Sequence, residues 1–162
     1  MCVLRKIRVV AFACAMLAAS LPAETLVWTG AESSDWNLTD ANWTNETGTA
    51  MAWVNGSSAT FAVDAESNIS VTDDIQLQNL LMTAGCSAIY WKDGGGSLTF
   101  VSDAANPTNY ITPLKDGQHY EMQVPVNCAG TLVKDGGGVI RLYNGGNNLT
   151  GGVVVTKSQV RF

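Results

Sequence analysis

The sequence predicts an all-β protein, and three observations support that prediction. Short runs alternate apolar and polar residues, as in residues 75–80, and no helix-period pattern competes with them. Clusters of Gly, Asn and Asp separate the runs, and these residues supply turns that need positive φ. Charged residues make up only 14% of the chain and apolar residues 46%, which suits an extracellular β scaffold better than a cytosolic enzyme.

The alternating runs predict a series of short strands along the chain. They cover residues 59–63, 69–71, 75–80, 89–91, 98–100 and 120–124, with later runs around Leu132, 140–142 and 153–155. Regular short strands with turn signals between them are typical of a sandwich, a barrel or a solenoid.

An internal repeat favours the solenoid. The segment C-S-A-I-Y-W-K-D-G-G-G-S-L-T-F from Cys86 aligns without gaps to C-A-G-T-L-V-K-D-G-G-G-V-I-R-L from Cys128, 42 residues later. Fixed-period similarity is the signature of stacked repeats. The sequence therefore predicts a right-handed parallel β-helix, a β-solenoid, with a β-sandwich as the alternative.

The repeat also bears on the two cysteines. If 42 residues form two coils, Cys86 and Cys128 lie about 9.6 Å apart, at roughly 4.8 Å per coil. A disulfide needs Cα atoms within roughly 4.4 to 6.8 Å. If the 42 residues form one long coil, the cysteines stack and could bond. We favour two coils and free, buried thiols.

Residues 1–23 have the pattern of a secretory signal peptide. Arg5, Lys6 and Arg8 precede an apolar run over residues 9–19, and small residues lead to a cleavage site after Ala23. The run is too short to span a bilayer. We expect a secreted or cell-surface protein with no membrane span in the mature chain.

Charge argues against nucleic acid as a partner. The chain has nine Lys or Arg against fourteen acids, so removal of the three basic residues of the signal leaves six against fourteen, a net charge of −8. Binding to phosphates needs a basic face.

Residues 24–58 form a segment rich in tryptophan, with Trp28, Trp36, Trp43 and Trp53 close together. Large aromatic rings bury much area, and terminal units of repeat folds need capping. We interpret this segment as an N-terminal cap on a solenoid that covers residues 59–162. The alternative is that the four tryptophans are exposed and contact surface glycans.

Residues 130–160 contain a spaced set of glycine, apolar and polar positions: Gly130, Leu132, Lys134, Gly136, Gly138, Leu142, Asn147, Thr150, Gly151, Gly152 and Val155. This set resembles one unit of the autotransporter-associated β-strand repeat of bacterial passenger proteins. Leu149 stands where the pattern has an aromatic residue, Ser158 replaces a glycine, and the turn after Leu142 is about one residue longer.

This resemblance implies a particular setting and role. It implies a structural stalk or scaffold at the bacterial outer membrane or outside the cell, folding vectorially as it is exported. It also implies further repeats beyond the C-terminus.

The sequence offers no catalytic constellation. His119 is the single histidine and has no matched nucleophile or zinc partners. Asp73 and Asp74 would point to opposite faces of a strand and would not cooperate unless they lie in a turn. Asp93 and Asp135 fall at equivalent repeat positions and could line one edge, but we favour the interpretation that each begins an Asp-Gly turn. We expect no enzymatic activity, metal or cofactor, so a structural role ranks first, a glycan-binding adhesive module second and a polysaccharide-acting enzyme third.

Overall fold

The computed structural model describes residues 24–63, 66–83, 88–102, 106–113 and 115–162. Across these residues the protein is all-β, and its strands lie in two sheets of eleven and six strands. This confirms the predicted all-β class.

The six-stranded sheet is a ladder of parallel strands, here called the six-strand ladder. Its members, in spatial order, are β2 (Asp35–Trp36), β6 (Ser67–Val71), β8 (Ala88–Asp93), β11 (His119–Met122), β14 (Val139–Leu142) and β17 (Val160–Arg161).

The eleven-stranded sheet contains two further parallel ladders, which share the long strand β7 (Asp74–Met82). The short ladder comprises the first half of β7, β9 (Ser97–Phe100), β12 (Val126–Cys128) and β15 (Asn148–Leu149). The long ladder comprises β1 (Thr25–Trp28), β5 (Ser57–Phe61), the second half of β7, β10 (Thr108–Thr112), β13 (Thr131–Lys134) and β16 (Val153–Val155).

The chain visits the three ladders in a fixed order. From β6 onward it passes from the six-strand ladder to the short ladder, then to the long ladder, and returns. We call one such passage a circuit. The last circuit is compact, since paired residues Leu132 and Val153 are 21 positions apart and Ile140 and Val160 are 20 apart.

Alternation within each strand sends one face of all three ladders into a common core. Buried residues of successive strands stack in columns, such as Ile75, Leu98 and Val126 in the short ladder. The core is continuous from Leu26 to Leu142. The predicted strands are confirmed wherever they were placed, within one to three residues at their ends.

An antiparallel hairpin covers the N-terminal end of the long ladder. Strand β3 (Trp43–Thr44) pairs antiparallel with β1, and β4 (Ala50–Met51) pairs antiparallel with β3. The residues of the predicted cap segment thus supply this hairpin and also the first strands of two ladders.

The two copies of the 42-residue repeat do not occupy equivalent places, so the expectation that they stack is wrong. Lys92 lies in the six-strand ladder opposite Ser70, whereas Lys134 lies in the long ladder between Ile111 and Val155. The shared K-D-G-G-G sequence is a corner sequence, used once between β8 and β9 and once between β13 and β14. The structure describes Cys128 as a buried free thiol, and Cys86 lies outside the described residues.

Candidate functional site

Four tryptophans form one aromatic cluster, the Trp cap, at the N-terminal end of the core. The cap consists of Trp28, Trp36, Trp43 and Trp53. The ring centroid of Trp43 lies 4.7 Å from that of Trp53, 4.9 Å from that of Trp36 and 5.1 Å from that of Trp28. The tilted and edge-on arrangements are those that aromatic pairs prefer.

The strands and one asparagine position the cap. Trp28 ends β1, Trp36 ends β2 and Trp43 begins β3, so all three point inward by strand alternation. The buried Asn42 accepts hydrogen bonds from the backbone N–H groups of Glu32 (2.9 Å) and Ser33 (3.0 Å) through Oδ1. Its Nδ2 donates to the Ser33 hydroxyl and to the Asp35 carbonyl, both at 2.9 Å. Asn42, which directly precedes β3, therefore holds the loop that joins β1 to β2.

The cap is held by ring packing more than by hydrogen bonds. The indole N–H of Trp53 donates to Asn55 Oδ1 at 3.1 Å and to the Gln76 carbonyl at 3.2 Å. The indole nitrogens of Trp36, Trp43 and Trp91 are buried without a hydrogen-bond partner. A buried unpaired donor costs about 1–3 kcal/mol, which the burial of large rings must offset.

The four tryptophans present no ring face to solvent. Their exposed fractions are 6% for Trp28, 0% for Trp36 and Trp43, and 3% for Trp53. Stacking on a sugar ring needs an accessible face, so glycan contact through these residues stays a prediction that the geometry does not favour. The predicted cleavage site after Ala23, with the whole signal segment, lies outside the described residues.

The four aspartates considered as candidate acids each accept a hydrogen bond from a different group. Asp73 Oδ2 accepts a hydrogen bond from the backbone N–H of Leu38 at 2.9 Å, and Asp74 Oδ1 accepts one from the Ser97 hydroxyl at 2.7 Å. Asp93 Oδ1 accepts from Gly95 N at 2.9 Å, within its own turn. Asp135 Oδ1 accepts from Gly136 N at 2.8 Å. Asp93 and Asp135 lie at different corners, so they do not line one edge.

His119 lies on the outward side of the six-strand ladder, where its Nε2 is 3.3 Å from the hydroxyl of Tyr90. Within the part of the chain that the structure describes, no group of three or more His, Cys, Asp or Glu residues could hold a metal ion.

Glycines form a close-packed column at the corner between the short and long ladders. A Cβ added to Gly130 would lie 2.5 Å from the Pro107 carbonyl oxygen, and one added to Gly151 would lie 2.0 Å from the Gly130 carbonyl oxygen. Gly130 and Gly151 both lie in residues 130–160, the segment that resembles a passenger repeat. Stacking of backbone on backbone therefore gives the physical reason for glycine at both positions.

Lys134, in the same segment, bridges two neighbouring circuits. Its side chain is 1% exposed, and its Nζ donates to the Gly136 carbonyl and, at 2.6 Å, to the Lys157 carbonyl. The Asp135 carboxylate accepts from the Thr156 hydroxyl at 2.6 Å and ties the same two circuits together on the outside. Burial lowers the pKa of the Lys134 amine below its ordinary value of 10.5.

This lowered pKa predicts a pH dependence of stability. In the folded state the Lys134 amine releases its proton at a lower pH than in the unfolded state, so the unfolded state binds more protons in the alkaline range. The free energy of unfolding should therefore rise with pH up to about 10.5, relative to a Lys134→Met variant. Urea unfolding of both proteins between pH 7 and pH 10 measures the difference. A difference that is flat or falls with pH would contradict the prediction.

The backbone conformation at Ser158, which replaces a glycine of the repeat pattern, leads to a second prediction. It is the one non-glycine residue with positive φ among those described, at 65°, where the pattern has glycine. Left-handed backbone costs a non-glycine residue roughly 1–2 kcal/mol, partly balanced by the greater freedom of glycine when unfolded. Ser158→Gly should raise the free energy of unfolding by up to about 1 kcal/mol, whereas the β-branched Ser158→Val should lower it by about 1–2 kcal/mol. Urea midpoints in the reverse order would contradict this.

The chain matches no known protein family, no curated protein and no solved structure. The described residues also contain no helix of the length and apolarity needed to cross a bilayer.

Proposed function

We propose that the chain is a secreted or surface-exposed β-solenoid segment of an autotransporter-like passenger, and that it acts as a stalk or scaffold. In this proposal its strands wind as a right-handed parallel β-helix, and the Trp cap covers its first circuit. The observation that carries the proposal is the fixed order in which the chain visits three parallel ladders, with compact final circuits of about twenty residues. A Greek-key sandwich would instead be built from antiparallel pairs.

The contacts between circuits also support a structural role. Successive circuits are joined by parallel ladders, and the last two are also joined by the contact of Gly151 with Gly130 and by the Lys134 amine. These contacts use backbone and buried side chains and leave the outward faces free to vary. Such a body suits a stiff spacer whose length is set by the number of circuits.

The final edge of each ladder has the geometry to accept a further strand. The last strands of the three ladders, β15, β16 and β17, are each paired on one side. Another circuit of the same kind would pair with all three, as each circuit does with the one before it.

Duplication of a circuit tests this proposal. Residues 127–147 form one repeat of the pairing, since Asn127 pairs with Asn148. Three extra copies inserted after Asn147 should fold, unfold cooperatively in urea and lengthen the particle by about 14 Å, at roughly 4.8 Å per circuit. Small-angle X-ray scattering measures that length.

The control carries inserts of the same composition in scrambled order. It should unfold locally or aggregate, because its glycines no longer fall at the corners of a circuit and its apolar residues no longer fall at the inward positions. If the duplicated chain is unfolded, or no longer than the parent, the solenoid proposal fails.

A further inference from the structure

The positive charge of the described chain is confined to its later part. Residues 24–91 contain no Lys, Arg or His, and the six Lys and Arg residues after the predicted signal all follow Trp91. Three of these six lie on the outward side of the six-strand ladder or at its end: Lys92, Arg141 and Arg161.

The register brings two of these cations, Arg141 and Arg161, into line with Tyr90. Tyr90, Glu121, Arg141 and Arg161 occupy one row across four successive strands, each the Cα partner of the next. The chain neighbours of Tyr90, Glu121 and Arg141 point into the core, as the buried Ile140 and Leu142 show beside Arg141, whereas Phe162 beside Arg161 is exposed. The row therefore faces outward, and its strands are about 4.8 Å apart.

The guanidinium of Arg141 is held in a fixed position on this face. Arg141 Nη1 donates to Glu121 Oε1 at 2.5 Å, with side-chain exposed fractions of 24% and 12%. The hydrogen bond that Arg141 donates to Glu121, with the nearby Tyr143 and Tyr90, raises the pKa of Arg141. Its Nε is buried and without a hydrogen-bond partner. A guanidinium oriented in this way loses little conformational freedom when it binds an anion.

Two tyrosines flank the cations. Tyr143 directly follows β14 and is 55% exposed. Tyr90 lies under the Lys92 ammonium, with the nitrogen 4.9 Å from the ring centroid. The Tyr90 hydroxyl lies 3.3 Å from His119 Nε2. The exposed ring of Tyr143 beside the fixed Arg141 guanidinium suits a ligand that has both apolar ring faces and negative groups.

The geometry points to a binding site for an acidic polysaccharide on this outward face, with carboxylate or sulfate groups on Arg141, Arg161 and Lys92 and a sugar ring on Tyr143. We call it the Tyr–Arg face. The inference does not depend on the stalk proposal, because it needs only the six-strand ladder and its register. Nucleic acid is the less favoured polyanion. A duplex carries one charge per roughly 1.7 Å, and many of these charges would lie against the acidic protein surface on either side of the narrow basic strip.

The test compares two double variants that remove the same charge. Lys92→Gln with Arg161→Gln changes the Tyr–Arg face and leaves the Arg141–Glu121 pair intact. Lys115→Gln with Lys157→Gln changes cations away from it, near the exposed Asp116. The probes, in biolayer interferometry, are polygalacturonate, dextran sulfate, neutral dextran and a thirty-nucleotide oligo-dT, with circular dichroism to confirm that each variant is folded.

We expect polygalacturonate, dextran sulfate or both to bind, with affinity that falls as salt is raised, and neutral dextran not to bind. The face variant should weaken binding at least tenfold and the control variant less than twofold. Tyr143→Ala should weaken it about fivefold without changing the salt dependence. Binding of only one polyanion would identify carboxylate or sulfate as the recognised group.

Three results would overturn the inference. The first is that neither charged polysaccharide binds. The second is an equal loss in both double variants, which would mean general attraction to positive charge. The third is oligo-dT binding as tightly as the polysaccharides.

Discussion

Replacement of Trp43 by alanine should lower the free energy of unfolding by about 3–5 kcal/mol, the range for a large aromatic removed from a core. Trp43 is fully buried, and its ring contacts the other three rings of the Trp cap and that of Phe61, at 5.5 Å between centroids. The cavity cannot close easily, because the surrounding rings pack on one another as well. For a domain of ordinary stability, this is a large fraction of the total.

Urea unfolding followed by tryptophan fluorescence and far-UV circular dichroism measures this loss. Tyr110→Ala is the matched control, since Tyr110 is an aromatic strand residue that is 44% exposed, and it should change stability by no more than about 0.5 kcal/mol. Trp43→Phe should fall between the two. A loss below about 1 kcal/mol for Trp43→Ala would mean that the cap does not stabilise the core.

Replacement of Gly151 by alanine should be nearly as damaging, although it adds a single methyl group. That Cβ would lie 2.0 Å from the Gly130 carbonyl oxygen, 2.3 Å from its carbonyl carbon and 2.4 Å from the Ala129 carbonyl oxygen. All three are backbone atoms, so no side chain can move aside. The corner must open, and we expect a loss of at least about 3 kcal/mol or local unfolding of β15 to β17.

Gly145→Ala is the control for that substitution. No heavy atom lies within 4 Å of a Cβ built on Gly145, and its φ is outside the left-handed region. Its stability should change by about 0.5 kcal/mol or less. Hydrogen exchange separates global from local unfolding, since the amides of residues 153–161 should lose protection in Gly151→Ala alone. Equal behaviour of the two variants would contradict the stacked corner.

The strand pattern was predictable because it depends on local alternation. Residues 75–77 and 140–142 show period two, and they became parts of β7 and β14. Strand β10 was missed because it lies between Pro107 and Pro113 and carries the buried polar Asn109 on its inward side. The Thr-Asn-Tyr-Ile-Thr composition was the signal available there.

The long-range arrangement was harder to predict because turn chemistry does not specify which corner a turn occupies. The same K-D-G-G-G sequence serves two corners, so alignment placed Lys92 and Lys134 in equivalent positions that they do not have. The loop of Asn42 and the pair of Glu121 with Arg141 join residues 7 to 20 positions apart. Their contacts follow from register, which the sequence alone did not supply.

The most direct test of the stacked-circuit account is one distance across the six-strand ladder. Asn68 and Arg161 lie in the same outward row, separated by four strand steps through Tyr90, Glu121 and Arg141. Spin labels are attached at these two positions, with Cys86 and Cys128 replaced by alanine. Pulsed electron paramagnetic resonance then measures the distance between the two labels. Four parallel strand steps place the two backbones about 19 Å apart. We therefore expect a single narrow distribution of label-to-label distances that corresponds to this separation once the length of the spin-label side chains is included. A broad distribution, or a distance that does not fit four parallel strand steps, would contradict it.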